Sequence, residues 1–180
     1  MKLKAILYTS LTAALFSAGA VHAAPVSVSG GTINFEGQVV DAACSVTADA
    51  DNQTITLDQV QATKLATPGQ AAGQQQPFTI SLEGCNSTVS ANAGVTFNGQ
   101  ADTTTTTALA NTAGAGSATN VALQLYGPDG KELGLGTASS TIPLSDGQNV
   151  LPFSVDYIAT GAAATAGAVS ATATFNINYS

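Results

Sequence analysis

The chain has no tryptophan, no arginine, one histidine, one methionine and two cysteines, and only 8% of its residues are charged. Each shortage removes a class of function. Nucleic-acid binding relies on Lys and Arg neutralising phosphates, and four lysines set against eleven carboxylates cannot supply that. The one histidine, His22, lies in an N-terminal segment expected to be removed. The remainder therefore has no Ser-His-Asp or Cys-His arrangement, and two cysteines without a histidine make no ordinary zinc site. No glycine-rich loop joins a strand to a helix, so a phosphate cradle is unsupported. The carboxylates, among them Asp41, Asp58, Glu83, Asp102, Asp129, Glu132, Asp146 and Asp156, fall mostly in turns or on polar strand faces, where solvated surface charge is the expected role. Asp49-Ala50-Asp51-Asn52 lacks the twelve-residue spacing of a calcium loop. Asn52-Gln53-Thr54 and Asn86-Ser87-Thr88 match the glycosylation pattern, which is short enough to arise by chance. The expectation is a protein that is not an enzyme and has no cofactor, no metal and no nucleic-acid partner.

Long apolar runs are also missing, except at the start. Lys2 and Lys4 precede an uncharged, mostly apolar stretch from Ala5 to Ala20, and Val21-His22-Ala23 has the small residues of a secretory cleavage site. The stretch is short for a membrane span and is interrupted by Thr9, Ser10, Thr12 and Ser17. Residues 1–23 are thus expected to be a signal peptide. Its removal leaves Lys64 and Lys131 against eleven carboxylates, a net charge of −9. An acidic surface favours solubility and repels other anionic surfaces. Cys44 and Cys85 are 41 residues apart, and in an exported chain two cysteines most simply form one disulfide.

What the chain does have is period-2 alternation. Apolar residues make up 44% of it, too many for disorder, and they alternate with Thr, Ser, Asn and Gln. The longest example is GAVSATATFNINYS, Gly167 to Ser180. Its odd positions are Val169, Ala171, Ala173, Phe175, Ile177 and Tyr179, and its even positions are small or polar. That is a strand with one buried and one solvated face, and it needs a partner strand. A second alternation, Gly31, Ile33, Phe35 and Gly37, lies just after the signal.

Between the two, the pattern predicts strands at Gln38–Val46, Gln53–Leu57, Pro77–Cys85, Gly94–Asn98, Val121–Tyr126, Leu133–Gly136, Thr141–Leu144 and Val150–Ala159. Residues 61–76 read as a loop with one helical turn at most, and residues 100–120, with five consecutive threonines, as a long surface loop. Pro152 suggests an edge position or a bulge. About eight or nine short strands with no convincing helix predict an all-β, immunoglobulin-like sandwich.

The signal ending at Ala23, GGTINFEGQVVDAAC from Gly30, FTISLEGC from Phe78, NVALQLYGPDG from Asn120, and a C-terminal strand with Tyr179 penultimate and Gly167 fourteenth from the end resemble the type 1-like pilins. These are the major structural subunits of chaperone–usher fimbriae. The resemblance implies a sandwich lacking its last strand, completed by donor-strand exchange. Residues 24–37 would be the donor extension, with Gly31, Ile33, Phe35 and Gly37 as its inward face, and residues 38–180 the incomplete pilin domain. Gly167, Val169, Ala171, Ala173, Phe175, Ile177, Tyr179 and Ser180 would form the acceptor groove and the chaperone-recognition end. The implied partners are identical subunits, a periplasmic pilus chaperone, an outer-membrane usher, and minor tip or adaptor subunits. The implied route runs through the periplasm to an adhesive fimbria on the cell surface. Two alternatives remain: a minor adaptor subunit, and a self-contained secreted β-sandwich that binds glycan or calcium.

Overall fold

A computed structural model describes residues 32, 34 and 42–180, of which those from 42 onward belong to the compact unit Val39–Ser180. In chain order its strands are β1 (Ser45–Val46), β2 (Gln76–Cys85), β3 (Asn92–Gly99), β4 (Leu109–Ala110), β5 (Val121–Tyr126), β6 (Glu132–Leu133), β7 (Ile142–Pro143), β8 (Gly147–Ala159) and β9 (Ala173–Tyr179). One helical turn, α1 (Ala48–Asp51), and a 3₁₀ turn, Ala62–Leu65, lie between β1 and β2. The larger sheet runs β1-β2-β8-β5-β4, with β6 also beside β5, and the smaller runs β7-β3-β9; every pairing between these strands is antiparallel.

Alternation decides which side chains enter the core. On β2 the inward residues are Phe78, Ile80 and Leu82, placed opposite Phe153, Leu151 and Asn149 of β8. From the other sheet, β3 contributes Ala93, Val95 and Phe97, all buried. The Phe97 ring meets Phe153 edge-on at 5.1 Å between centroids, a favoured aromatic geometry that ties the two sheets together. β5 is buried on both faces. Its outward Gln124 donates to the Leu133 and Leu125 carbonyls, as a buried amide must. On β8 the buried Asp156 accepts from the amides of Gly73, Gln74 and Tyr157, which fixes residues 73–74 to the sheet. Cys44 and Cys85 are bridged, joining the residue before β1 to the end of β2.

Several boundaries depart from the sequence reading. Of the strand expected at Gln38–Val46, residues 38–41 lie outside the described residues, and only Ser45–Val46 joins a ladder. Gln53–Leu57 alternates as expected but pairs with no described strand. The loop 100–120 contains β4 and buries Ala108 and Leu109. Pro152 lies opposite Thr79 of β2, upstream of Ser154, where pairing with β5 begins. It therefore has a strand neighbour on one side only. The last alternation runs from Gly167 to Ser180, but its ladder with β3 starts at Ala173, because β3 ends at the opposing Gly99.

Candidate strand-acceptor groove

The hydrogen bonds of β9 show which of its edges is free. Asn92 and Ser180 exchange both backbone bonds, at 2.8 Å from Asn92 N and 3.0 Å from Ser180 N. In an antiparallel ladder this fixes the parity: even-numbered residues face β3, and odd-numbered residues turn their N–H and C=O to the opposite edge. The same parity continues upstream, where Ala168 N donates to Gly116 O and Thr112 N to Ser170 O. Val169, Ala171, Ala173, Phe175, Ile177 and Tyr179 thus offer backbone groups to an edge that pairs with no described strand. Their side chains point toward the core, yet all six are only half-buried. Opposite them, Ala93, Val95 and Phe97 of β3 are 0%, 0% and 4% exposed. Among the described residues, the half-burial of β9 therefore reflects cover missing on one side, since its partner strand is fully enclosed.

The second wall is the segment that failed to join a ladder. Ile55 and Leu57 are half-buried against the core while Gln53, Thr54 and Thr56 are exposed, so the alternation operates without backbone pairing. Side-chain bonds hold the segment in place: Gln53 Nε2 donates to Thr79 O at 2.7 Å, and the Tyr157 hydroxyl donates to Asp58 O at 3.1 Å. Between the walls runs a groove of about 1050 Å³, floored by Phe78, Ile80, Phe97, Leu123, Leu125 and Val155. Among the described residues, Asp51 is the only charged one along it. The wall from 169 to 177 is long enough for a strand of about nine residues at roughly 3.3 Å each. Such a strand would bond to the odd-numbered groups and add its own apolar face to the core.

Tyr179 closes one end. Its hydroxyl donates to Cys44 O at 3.1 Å, linking the C-terminal strand to the disulfide corner. Burial pushes its phenol above the ordinary tyrosine value, partly offset by that hydrogen bond. Burial likewise raises Tyr157, with the Asp58 and Asp156 charges adding to the effect.

Of the acceptor residues read from the sequence, Val169, Ala171, Ala173, Phe175 and Ile177 line the groove. Tyr179 stands at its end, and Ser180 is exposed and paired with Asn92. Gly167 does not line the groove. A Cβ there would overlap the backbone of 116–118, lying 2.7 Å from Gly116 O, so its lack of a side chain is a packing requirement. Gly31, Ile33, Phe35 and Gly37 lie outside the described residues. Sequence reasoning missed the wall residues Ile55 and Leu57 as part of the site. The signal was present: QTITL alternates and has no evident partner.

Fold and groove together define a class, an immunoglobulin-like sandwich one strand short with an open edge beside its C-terminal strand. Residues 33–180 match the family described as "Fimbrial protein". The chain is 43% identical over 177 residues to the laminin-binding fimbrial subunit ElfA of Escherichia coli O157:H7, covering 98% of each. It is 45% identical over 181 residues to the type-1 fimbrial protein, C chain, of Escherichia coli, covering 99% of each. Among solved structures it resembles the P pilus rod subunit PapA, with a TM-score of 0.65 and 25% identity over 77% of this chain and all of that one. It also resembles a subunit of a chaperone–usher pilus solved in a study of rod uncoiling, with a TM-score of 0.67 and 28% identity over 88% of this chain and all of that one. The chain belongs to the fimbrial protein family and is a structural pilin subunit of the chaperone–usher type.

Proposed function

We propose that this subunit polymerises head-to-tail by strand exchange, its groove receiving residues 24–37 of the next copy. Ile33 and Phe35 fill the pockets beside Phe175 and Ile177, and Gly31 and Gly37 occupy the narrower positions of the same face. The observation that carries this reading is the parity of β9, whose odd-numbered residues turn their backbone groups to an edge with no described partner while their apolar side chains face a half-covered core. An open edge of that kind is an aggregation hazard unless covered. Before assembly the cover comes from a periplasmic pilus chaperone that also holds the Ser180 carboxylate, and an outer-membrane usher exchanges it for the next subunit. Residues 1–23 direct export and are removed. Minor tip or adaptor subunits of the same construction join the fibre, which acts in adhesion at the cell surface. A groove on one subunit taking a different segment of the next is a heterologous contact, which propagates as an open fibre. No catalytic step enters this function.

Substituting both Ile33→Asp and Phe35→Asp in the full chain tests the proposal. Surface preparations of the unmodified protein are expected to give a heat-labile, SDS-resistant ladder, and the double variant none. A ladder that survives the double substitution rules out residues 24–37 as the donor. A soluble, stable monomer with no ladder from the unmodified chain would favour the self-contained sandwich.

A further inference from the structure

We infer that Asn111 is a positioning residue that holds the upstream half of the acceptor edge, residues 168–171, in the conformation an incoming strand needs. The inference rests on the strand-acceptor reading of the groove. β3 supports β9 only as far as Ala173, opposite Gly99. Beyond that point the chain after β3 turns away, and residues 111–118 run beside 168–170 in its place: Thr112 N donates to Ser170 O at 2.8 Å and Ala118 N to Ala168 O at 2.9 Å.

The Asn111 carboxamide sits across this junction with its hydrogen-bonding capacity used in full. Its Nδ2 donates to Ala118 O at 2.9 Å and to Ala168 O at 3.0 Å. Its Oδ1 accepts from Ala113 N at 3.1 Å and from Ser170 N at 3.0 Å. Two acceptors face one end of the amide and two N–H donors face the other, so only one orientation satisfies the site. Two of the four bonds hold its own segment, and the other two hold the acceptor segment at its even-numbered residues. With Ala168 and Ser170 satisfied on that side, Val169 and Ala171 are left facing the groove. Without Asn111, Ser170 N loses its partner, and the nearest repair is a rotation of 168–171 that disturbs the groove edge. The effect is local, because β9 proper is held by β3.

That locality separates a positioning role from a general structural one. The full chain and its Asn111→Ala and Asn111→Asp variants are refolded with three synthetic peptides: residues 24–37, and the halves 24–31 and 30–37. Asn111→Ala is expected to weaken the long peptide by about tenfold, the loss of about one net hydrogen bond's free energy, and one half-peptide by a similar factor. The other half-peptide, which reaches only the β3-supported part of β9, should change by less than about twofold. Asn111→Asp, which keeps both acceptor bonds but sets a carboxylate oxygen against the Ala118 and Ala168 carbonyls, is expected to weaken binding at least as much as Asn111→Ala, with faster hydrogen exchange at 168–171 and unchanged protection at 173–179. Equal weakening of all three peptides, or of none, overturns the role of Asn111 while leaving the groove reading intact. Failure of the unmodified chain to bind any peptide overturns the groove reading and this inference with it.

Discussion

Gly167→Ala is the sharpest single perturbation, because its cost can be worked out from fixed atoms. A Cβ at this position overlaps Ala118 N and Ser117 C and lies 2.7 Å from Gly116 O. All three are backbone atoms, so no side chain can swing aside. The strap 116–118 and the segment 167–168 must separate, which stretches the bonds from Ala168 N to Gly116 O and from Ala118 N to Ala168 O, both 2.9 Å. Overpacking costs about 1–3 kcal/mol and each of the two weakened backbone bonds up to about 1 kcal/mol, giving a total of roughly 1–5 kcal/mol. For a domain of this size that lowers Tm by roughly 2–20 °C. Gly114→Ala, in the same strap, is the control: a Cβ there meets nothing within 4 Å and the backbone needs no left-handed conformation, so a change within about 0.5 kcal/mol is expected. Urea unfolding of both variants measures the difference. If Gly167→Ala lies within about 0.5 kcal/mol of wild type, the close approach of the strap is wrong, and so is the packing account of this glycine.

The other predictions concern the disulfide, the aromatic cluster and pH. Replacing both Cys44 and Cys85 with Ser opens a loop closed across 41 residues, and the urea midpoint should fall by the equivalent of about 4 kcal/mol. Phe97→Ala, removing a ring that is 4% exposed and in contact with Phe153 and Phe78, should cost about 3–5 kcal/mol in the isolated subunit. Phe175→Ala, at a half-buried position, should cost clearly less there, and more of its effect should appear in fibre stability to SDS and heat. Asp146 accepts from Ser87 N at 2.8 Å and Ser87 Oγ at 2.7 Å, and those bonds, the backbone one first, hold its carboxyl below the ordinary value. Its contribution is present above about pH 4 and is lost as pH falls through the depressed value, so Asp146→Asn should flatten part of the acid limb of stability. Burial raises Tyr126, Tyr157 and Tyr179. Their contribution is full below about pH 10 and is lost as pH rises through the raised values. Absorbance titration should therefore show late phenol ionisation in the folded protein and ordinary values once it is unfolded.

The parts of the fold that could be read from the sequence are those where one strand's own alternation decides the outcome. FTISL and TFNINY lie where their patterns put them, because a period-2 apolar face has one way to meet a core, and VALQLY forms its strand although it is buried on both faces. The disulfide was legible for another reason, since two cysteines in an exported chain have only one pairing. Less legible was everything set by contacts between distant segments. The register of Gln53–Leu57 could not be read, because an alternating segment gives no sign of whether its backbone has a partner. Gly167 carried a positional signal but no packing reason, as that depends on residues 116–118. Asn111 gave no signal at all: in sequence it is an ordinary loop asparagine, and its role comes only from Ala168 and Ser170, more than fifty residues away.

The sequence's shortages follow from the same geometry. β9 must satisfy one sheet with its even residues and offer a second edge with its odd ones. The even positions are therefore polar and bond locally, as Asn178 does to Thr96 Oγ1 at 2.7 Å. The odd ones are apolar and left half-covered. An added strand along this edge would need backbone groups, which every residue except proline supplies in full, and an apolar lining, which Val169, Ala171, Ala173, Phe175 and Ile177 provide. A charge placed in such a groove would be desolvated when a strand enters and would cost more than it returned unless the donor carried its partner. The proposed donor residues Gly31, Ile33, Phe35 and Gly37 carry none. A chain whose work is done by edges and pockets can thus dispense with arginine and tryptophan, and among the described residues it keeps its carboxylates outside the core except Asp156, which three backbone amides bond.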